Sequence, residues 1–468
     1  MLQKMTATLV ALLMTVALWS QDSLLTSRIN SLIETLPKGS EVGVYAYDLT
    51  SGKPLVAFRE DKLSRPASTM KLLTVVTALD NGHDSEPFTT SIYSQGTVVG
   101  DTLHGDIYVV GGFDPQLDDA AMDSLVAQIA AQPFHVVKGI AYGDTSMKDE
   151  LYWGHGWAWD DNPDYYQPYL SPLMFSKGTV KVVARPAAKG EAPTVECFPH
   201  SSYYSVVNNA VSRTPEAGKF NVTRDWLNND NCIVVSGNVA AETSETINLF
   251  SSQDYFMHTL VERLAERGIS ITGGYSFAQL PSDSNCTPIA SFSTPLMDVA
   301  IQLMKKSDNL NGEALLWRIG AQANKGKTPI TAADGLKEVK KLISRVGHNP
   351  ANYNIADGCG LSNYDYLSPA LLVDVLRYAY SKSTLFRQLY KTLPIAGVDG
   401  TLRGRMKSGK AYRNVHAKTG SYTAVNALTG YMKRADGHDV AFAIMNQNCL
   451  SASAARQFQD KVCEAIAF

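Results

Sequence analysis

Three short clusters in this chain put a nucleophile, a base and carboxylate-binding groups at useful spacings. Ser68 and Lys71 are three apart, so in a helix they share one face, one turn from each other. A lysine facing an apolar core is expected to be driven down from about 10.4 towards its neutral form. A neutral lysine one turn from a serine can take the serine's proton. Downstream stand Ser307-Asp308-Asn309 and Lys418-Thr419-Gly420-Ser421. Ser307 both donates and accepts, so it can pass a proton between Lys71 and a leaving group; Asn309 has a two-sided amide that can hold Lys71 and a substrate amide. Lys418 is a second cation. Its repulsion favours a neutral Lys71, and with the Thr419 hydroxyl it can hold a terminal carboxylate. Gly420 is expected to let a substrate backbone lie against a strand edge. The N–H groups of Ser68 and Ser421 are the candidate oxyanion donors. Together the clusters describe acyl transfer through a serine ester on a peptide that ends in a carboxylate. Singly, each is an ordinary cap serine, turn or surface lysine; their joint occurrence in this order carries the reading.

The elements that must position these groups are legible in outline. Pro66 suits a helix start, and the run Met70–Leu79 is almost wholly apolar, which marks a buried helix. Before it, Glu41–Tyr47 and Leu55–Phe58 read as two strands of a hairpin. Ser293-Thr294-Pro295 starts a helix that ends at Lys306, directly before Ser307. Further helical patterns span Gly312–Gln322, Thr331–Arg345 and Ser368–Tyr380. The Lys418 cluster enters strands at Val425–Met432 and Val440–Asn446, and a helix over Ser451–Ile466 closes the chain.

Between Phe88 and Gln279 the character changes to short strands and turns, with a hairpin over Thr97–Gly112 and helices over Leu117–Ala131 and Ser252–Arg267. The stretch Tyr152–Asp161 is dense in aromatics and carboxylates. It is either a packing corner or a surface for a sugar or a cationic side chain. The expected fold class is α+β: an antiparallel sheet with helices on both sides, interrupted by a large, mostly β insertion of one or two domains. The expected boundaries are 1–20 for a leader, 21–90 with 292–468 for the catalytic domain, and 91–291 for the insertion.

A net charge of −3 over 468 residues gives no field for nucleic acid. Lys4 followed by the apolar run Ala7–Trp19 describes a secretory signal peptide. Export to a periplasm or cell envelope, with at most loose membrane association, is the expectation. In that setting disulfides can form, and Cys197–Cys232 and Cys449–Cys463 are the pairs suggested by sequence proximity. No Cys-x-x-Cys or His-Glu-x-x-His occurs, so a metal is not expected, and neither is a cofactor.

The three clusters stand in the chain order of the penicillin-recognising serine enzymes. About 240 residues separate Ser68 from Ser307, far more than in compact members of that superfamily. This arrangement resembles the penicillin-binding protein 4 type, the D-alanyl-D-alanine carboxypeptidase/endopeptidases of peptidase family S13. The resemblance extends to Gly105–Gly112 with Asp114-Pro115, to Trp157–Asp161, to Asp357–Ser362 and to Gly397–Leu402. One departure is Cys359, where the family commonly has Ser. The resemblance implies a β-lactamase/transpeptidase-like fold. It implies Ser68 as acyl-ester nucleophile, Lys71 as proton acceptor, Ser307 as third catalytic group and Lys418 as carboxylate binder. It also implies peptidoglycan peptide stems and cross-links as substrate, and β-lactams as covalent inhibitors. Asp160 or Asp161 is a candidate to meet an amine on the substrate's diamino acid. A serine β-lactamase, a synthetic transpeptidase and a non-catalytic sensor are the alternatives, and a homo-oligomer stays open.

Overall fold

A computed structural model describes residues 24–82, 86–282, 285–325 and 327–468. The expected signal peptide at 1–20 lies outside the described residues. The chain divides into two compact units. One comprises the chain up to Asn81 with Ala300–Asp308 and Leu336–Phe468; the other comprises Gly82–Val299 and Asn309–Gly335.

The first unit is built on a five-stranded antiparallel sheet. Its order is His416–Tyr422, Val425–Lys433, Asp439–Gln447, Glu41–Asp48, Lys53–Phe58. Strands from the two ends of the sequence therefore pair along their full length, from Glu41 opposite Gln447 to Asp48 opposite Val440. The two middle strands Val425–Lys433 and Asp439–Gln447 are buried almost throughout, because helices cover both faces. On one face Phe458, Val462 and Ile466 of the helix Ala452–Ile466 pack with Val42, Val44, Phe442 and Ile444. Ile29, from a helix over 24–33, joins the same core. The helix Pro369–Ser381 serves the other face, where Tyr431 OH donates to Leu376 O (2.7 Å). Ser368 and Ser451 cap the two helices through bonds from Leu371 N and Ala454 N, as their positions in the sequence suggest. A helix over Ser383–Thr392 was not expected; it buries Leu385 and Leu389 and packs Phe386 and Tyr390 against Tyr431.

Among the described residues the second unit holds three sheets. Two have three strands, and one has seven strands that mix parallel and antiparallel pairs. A single apolar core runs from Ile92 to Ala290 through all three. The unit also contains the helix Asn309–Ala323, against the expectation that everything after 292 belongs with the catalytic domain. The reason is packing. Trp317 stacks on Phe113 (6.0 Å, 23°), and Gln116 Nε2 donates to Asn311 Oδ1 (2.7 Å). All six cysteines are thiols, so neither expected disulfide is formed. Cys197 and Cys232 lie on strands of different sheets.

Candidate active site

Ser68 sits in a 3₁₀ turn, Ala67–Met70, that runs straight into the helix Lys71–Asp80. Two devices fix the approach to that turn. Gln447, on a central strand, accepts from Arg65 N (3.2 Å) and donates to Arg65 O (3.0 Å), clamping the backbone three residues before Ser68. Ala67 takes a left-handed φ of 45°, a conformation that a β-carbon makes costly. Every residue from Lys71 to Leu79 is buried, so Lys71 is held inside the core with no solvent-exposed surface. Its Nζ is 2.9 Å from Ser68 Oγ and donates to the Cys359 carbonyl (2.5 Å).

That carbonyl belongs to a turn organised by one buried carboxylate. Asp357 Oδ1 accepts from Cys359 N (3.1 Å) and Gly360 N (2.6 Å), and Oδ2 accepts from Ser362 N (2.7 Å). Two successive carbonyls are thereby turned towards the Ser68 helix. Gly358 O takes Thr74 Oγ1 (2.7 Å), and Cys359 O takes Lys71. Thr74 and Lys71 are again one turn apart on one face. A carbonyl can only accept. One N–H of Lys71 is thus committed to Cys359 O, with its Nζ 2.9 Å from the Ser68 hydroxyl. The Ser-to-Cys departure at 359 leaves this contact intact, because the backbone makes it.

Lys418 is fully buried on the edge strand His416–Tyr422, where it donates to Ser307 Oγ (2.8 Å) and Thr419 O (2.7 Å). Burial pushes its pKa well down, and the charge of Lys71 pushes it further the same way. The repulsion expected to neutralise Lys71 therefore acts on Lys418 as well. Ser307 has a left-handed φ of 60° between its two flanking helices, which aims its hydroxyl from a sharp corner. Asn309 belongs to the second unit. It opens the helix there and donates Nδ2 to Tyr166 O (2.9 Å). In the same unit Asp161 accepts from Tyr166 OH (3.0 Å). Burial raises the Asp161 pKa.

Gly420 has a further reason to be glycine. A β-carbon there would lie 2.6 Å from Pro66 O and 3.0 Å from Ser68 N. The space it leaves is taken by this chain's own nucleophile turn. The same closeness brings the amide of Ser68 beside the strand that carries Ser421. Ser421 Oγ donates to Asn426 Oδ1 (3.1 Å), which ties it to the neighbouring strand. Thr419 Oγ1 donates to Thr401 Oγ1 (2.8 Å), a hydroxyl that the motifs did not single out. Asp357 and Gln447 were missed likewise. Asp357 lies in one of the segments that carry the family resemblance, whereas nothing in the sequence marks Gln447.

A helix-borne Ser-Lys pair and a Lys-Thr-Gly edge strand on an antiparallel sheet faced by helices define a penicillin-recognising serine acyltransferase. The profile of the D-Ala-D-Ala carboxypeptidase 3 (S13) family matches residues 25–467, and the chain belongs to that family. It is similar to the D-alanyl-D-alanine carboxypeptidase of Actinomadura sp. (strain R39), with 29% identity over 92% of this chain and 82% of the relative. It is also similar to the crystal structure of penicillin binding protein 4 from Haemophilus influenzae. The TM-score is 0.82 at 25% identity, over 94% of this chain and 99% of that one. The same Haemophilus protein complexed with a β-lactam matches with a TM-score of 0.75 at 25% identity, over 93% and 98%.

Proposed function

We propose that this chain is an exported serine D-Ala-D-Ala carboxypeptidase, and an endopeptidase on cross-links, that works through an acyl-Ser68 ester. The 2.9 Å approach of Lys71 Nζ to Ser68 Oγ, inside a core that disfavours the ammonium, carries the reading. Ser68 Oγ attacks the carbonyl of the penultimate D-Ala while Lys71 takes its proton. The oxyanion is held by the N–H groups of Ser68 and Ser421. The C–N bond breaks, and the proton reaches the leaving amine through Lys71 and Ser307. Water then hydrolyses the ester, with Lys71 again as base. Lys418 and Thr419 hold the terminal carboxylate, Asn309 the substrate amide, and Gly420 keeps the strand against the nucleophile turn. A terminal D-Ala and a cross-link to a diamino acid both present the carboxylate, so one apparatus serves both bonds. The β-lactam complex of the Haemophilus relative supports β-lactams as ligands of this site. Lys4 and the apolar run Ala7–Trp19 support export to the periplasm or envelope.

The test is D-Ala release from a soluble pentapeptide, with mass spectrometry of the penicillin-treated protein. Wild type should release D-Ala and carry a penicilloyl group on Ser68; Ser68→Ala should do neither. Full release by Ser68→Ala removes the mechanism. Rapid turnover of nitrocefin without a stable adduct would move the reading to a β-lactamase.

A further inference from the structure

The second unit carries a groove of about 660 Å³ that the reaction does not use. Its walls are two edge strands, Asn221–Arg224 of one three-stranded sheet and Thr243–Asn248 of the other, and segment 160–165 lies across them. One buried side chain braces all three. Arg224, 2% exposed, donates Nε to Asn248 O (2.9 Å) and Nη2 to Asn248 Oδ1 (2.8 Å), Asn162 Oδ1 (3.3 Å) and Tyr169 OH (3.3 Å). Asn248 N completes the brace by donating to Pro163 O (2.8 Å). A groove held this way is formed before anything binds, so little ordering opposes association.

The lining alternates amides, hydroxyls and carboxylates: Asp164, Asn221, Thr223, Ser244, Glu245 and Thr246. No lysine or arginine is among the lining residues. Aromatic rings stand beside these groups. Tyr165, 60% exposed, lines the groove itself. Trp159 immediately precedes the overlying segment, and Trp226 follows the strand Asn221–Arg224 by two residues. Their rings lie 5.4 Å apart at 43°, where segment and strand meet, and Trp159 is 63% exposed. Exposed indole and phenol faces next to fixed donors and acceptors suit a saccharide. Its C–H faces cover rings while its hydroxyls take paired hydrogen bonds. A peptide amine accounts for the carboxylates alone, and Glu245 Oε2 already accepts from Val222 N (3.1 Å).

We propose that this groove binds a carbohydrate chain, namely the N-acetylhexosamine glycan from which peptidoglycan peptides hang. The choice of glycan rests on the peptidoglycan reading above. The full chain is titrated with tetra-N-acetylchitotetraose and with peptide-free glycan strands, followed by tryptophan fluorescence and by calorimetry. D-Ala release from a soluble pentapeptide is measured in parallel. Saturable binding is expected, weakened at least about tenfold in Trp159→Ala and in Thr223→Ala. Soluble pentapeptide turnover is expected to stay unchanged, and D-Ala release from intact sacculi to fall. No saturable glycan binding, or equal binding by wild type and both variants, overturns the proposal. So does binding of peptide stems alone. Glycan binding by a protein that hydrolyses no peptide leaves the groove assigned and sinks the hydrolase reading instead.

Discussion

Both units of this molecule bury lysines, Lys71 and Lys418 in the first and Lys148 in the second, and the two units keep them in opposite company. Lys148, in the second unit, donates to Asp149 Oδ1 (2.9 Å), Asp149 O (2.8 Å) and Leu151 O, and lies 5.2 Å from the Trp317 ring. Burial pushes its pKa down, but the carboxylates of Asp149 and Glu313 push back up. Lys418, in the first unit, bonds a serine hydroxyl and a backbone carbonyl. Burial and the neighbouring Lys71 both push it down. Burial thus meets a carboxylate in one unit, which makes Lys148 a structural cation, and a second amine in the other, where Lys71 stands 2.9 Å from the nucleophile. What separates them is whether the next charge is a carboxylate or a second ammonium.

The sharpest way to break this contrast is to remove the amine and keep its volume. Lys71→Met should lower the rate of penicillin acylation by about 10²–10⁴-fold, the usual worth of a positioned base. The thermal midpoint should fall only modestly, because Cys359 O loses its donor while a buried methionine needs no counter-charge. Unchanged acylation would place Lys71 with Lys148 as a structural cation.

One titratable group in each unit responds oppositely to pH. Burial, helped by Lys305, pushes His416 from 6.5 to about 4. The unfolded chain then binds that proton before the folded one does. The stability from neutral His416 is full above pH 6.5 and lost as pH falls towards 4, by about 3 kcal/mol at most. Burial raises Asp114 of the second unit from 3.8 to about 6, so its sign is reversed. Stability is full below pH 3.8 and is lost as pH rises to 6, again by about 3 kcal/mol. Asp114→Asn, measured against wild type by denaturation, should gain relative stability from pH 4 to 6.5, whereas His416→Gln should lose it. Equal slopes for the two variants would show that the units do not differ in this way.

What the sequence revealed was mostly local. Ser68 and Lys71 meet because three residues make one helical turn, and the hairpin strands alternate visibly. The long apolar strands Val425–Lys433 and Asp439–Gln447 read plainly as well, since both faces are covered. Contacts made by distant segments were not legible. Gln447 clamps Arg65 across 382 positions, and Cys359 O meets Lys71 across 288. Nothing in the sequence marks Gln447, and Cys359, though in a segment that carries the resemblance, acts through a backbone carbonyl that no side chain announces. Lys148, in Ser146-Met147-Lys148-Asp149-Glu150, looks like a solvated turn. Its burial arises where Lys148 pairs with Ile330 in an isolated bridge. The helix Asn309–Ala323 follows the Ser307 cluster directly, yet its tryptophan commits it to the other unit's core.

The turn that holds Lys71 can be disturbed without touching Lys71. Gly360 has φ 79°, and a β-carbon there would lie 2.0 Å from Ala67 O. Gly360→Ala must shift the Cys359 carbonyl or the nucleophile turn, so acylation should fall by about 10–100-fold, or roughly 1.4–2.8 kcal/mol. Gly437, in a hairpin turn of the same unit, has φ 88° with nothing within 4 Å. Gly437→Ala therefore carries only the backbone cost of about 1–2 kcal/mol, read as stability, with acylation unchanged. Similar acylation rates for the two variants would show that the Cys359 contact does not orient the amine.

The gentlest test acts on the other lysine. Lys148→Met should leave acylation unchanged and lower stability by about 2 kcal/mol. The methionine keeps the packing beneath Trp317, but Asp149 and the carbonyl of Leu151 lose their donor. The loss is moderate because the Asp149 side chain is 20% exposed and still accepts from Leu151 N (3.2 Å). Replacing Asp149 with Asn as well should return part of that stability, since the carboxylate left behind is then neutral. Rate and denaturation midpoint measured on the same preparations separate the outcomes. If acylation fell while stability held, Lys148 would act on the chemistry, and the opposed company of the buried lysines would no longer explain why only one unit carries the reactive amine.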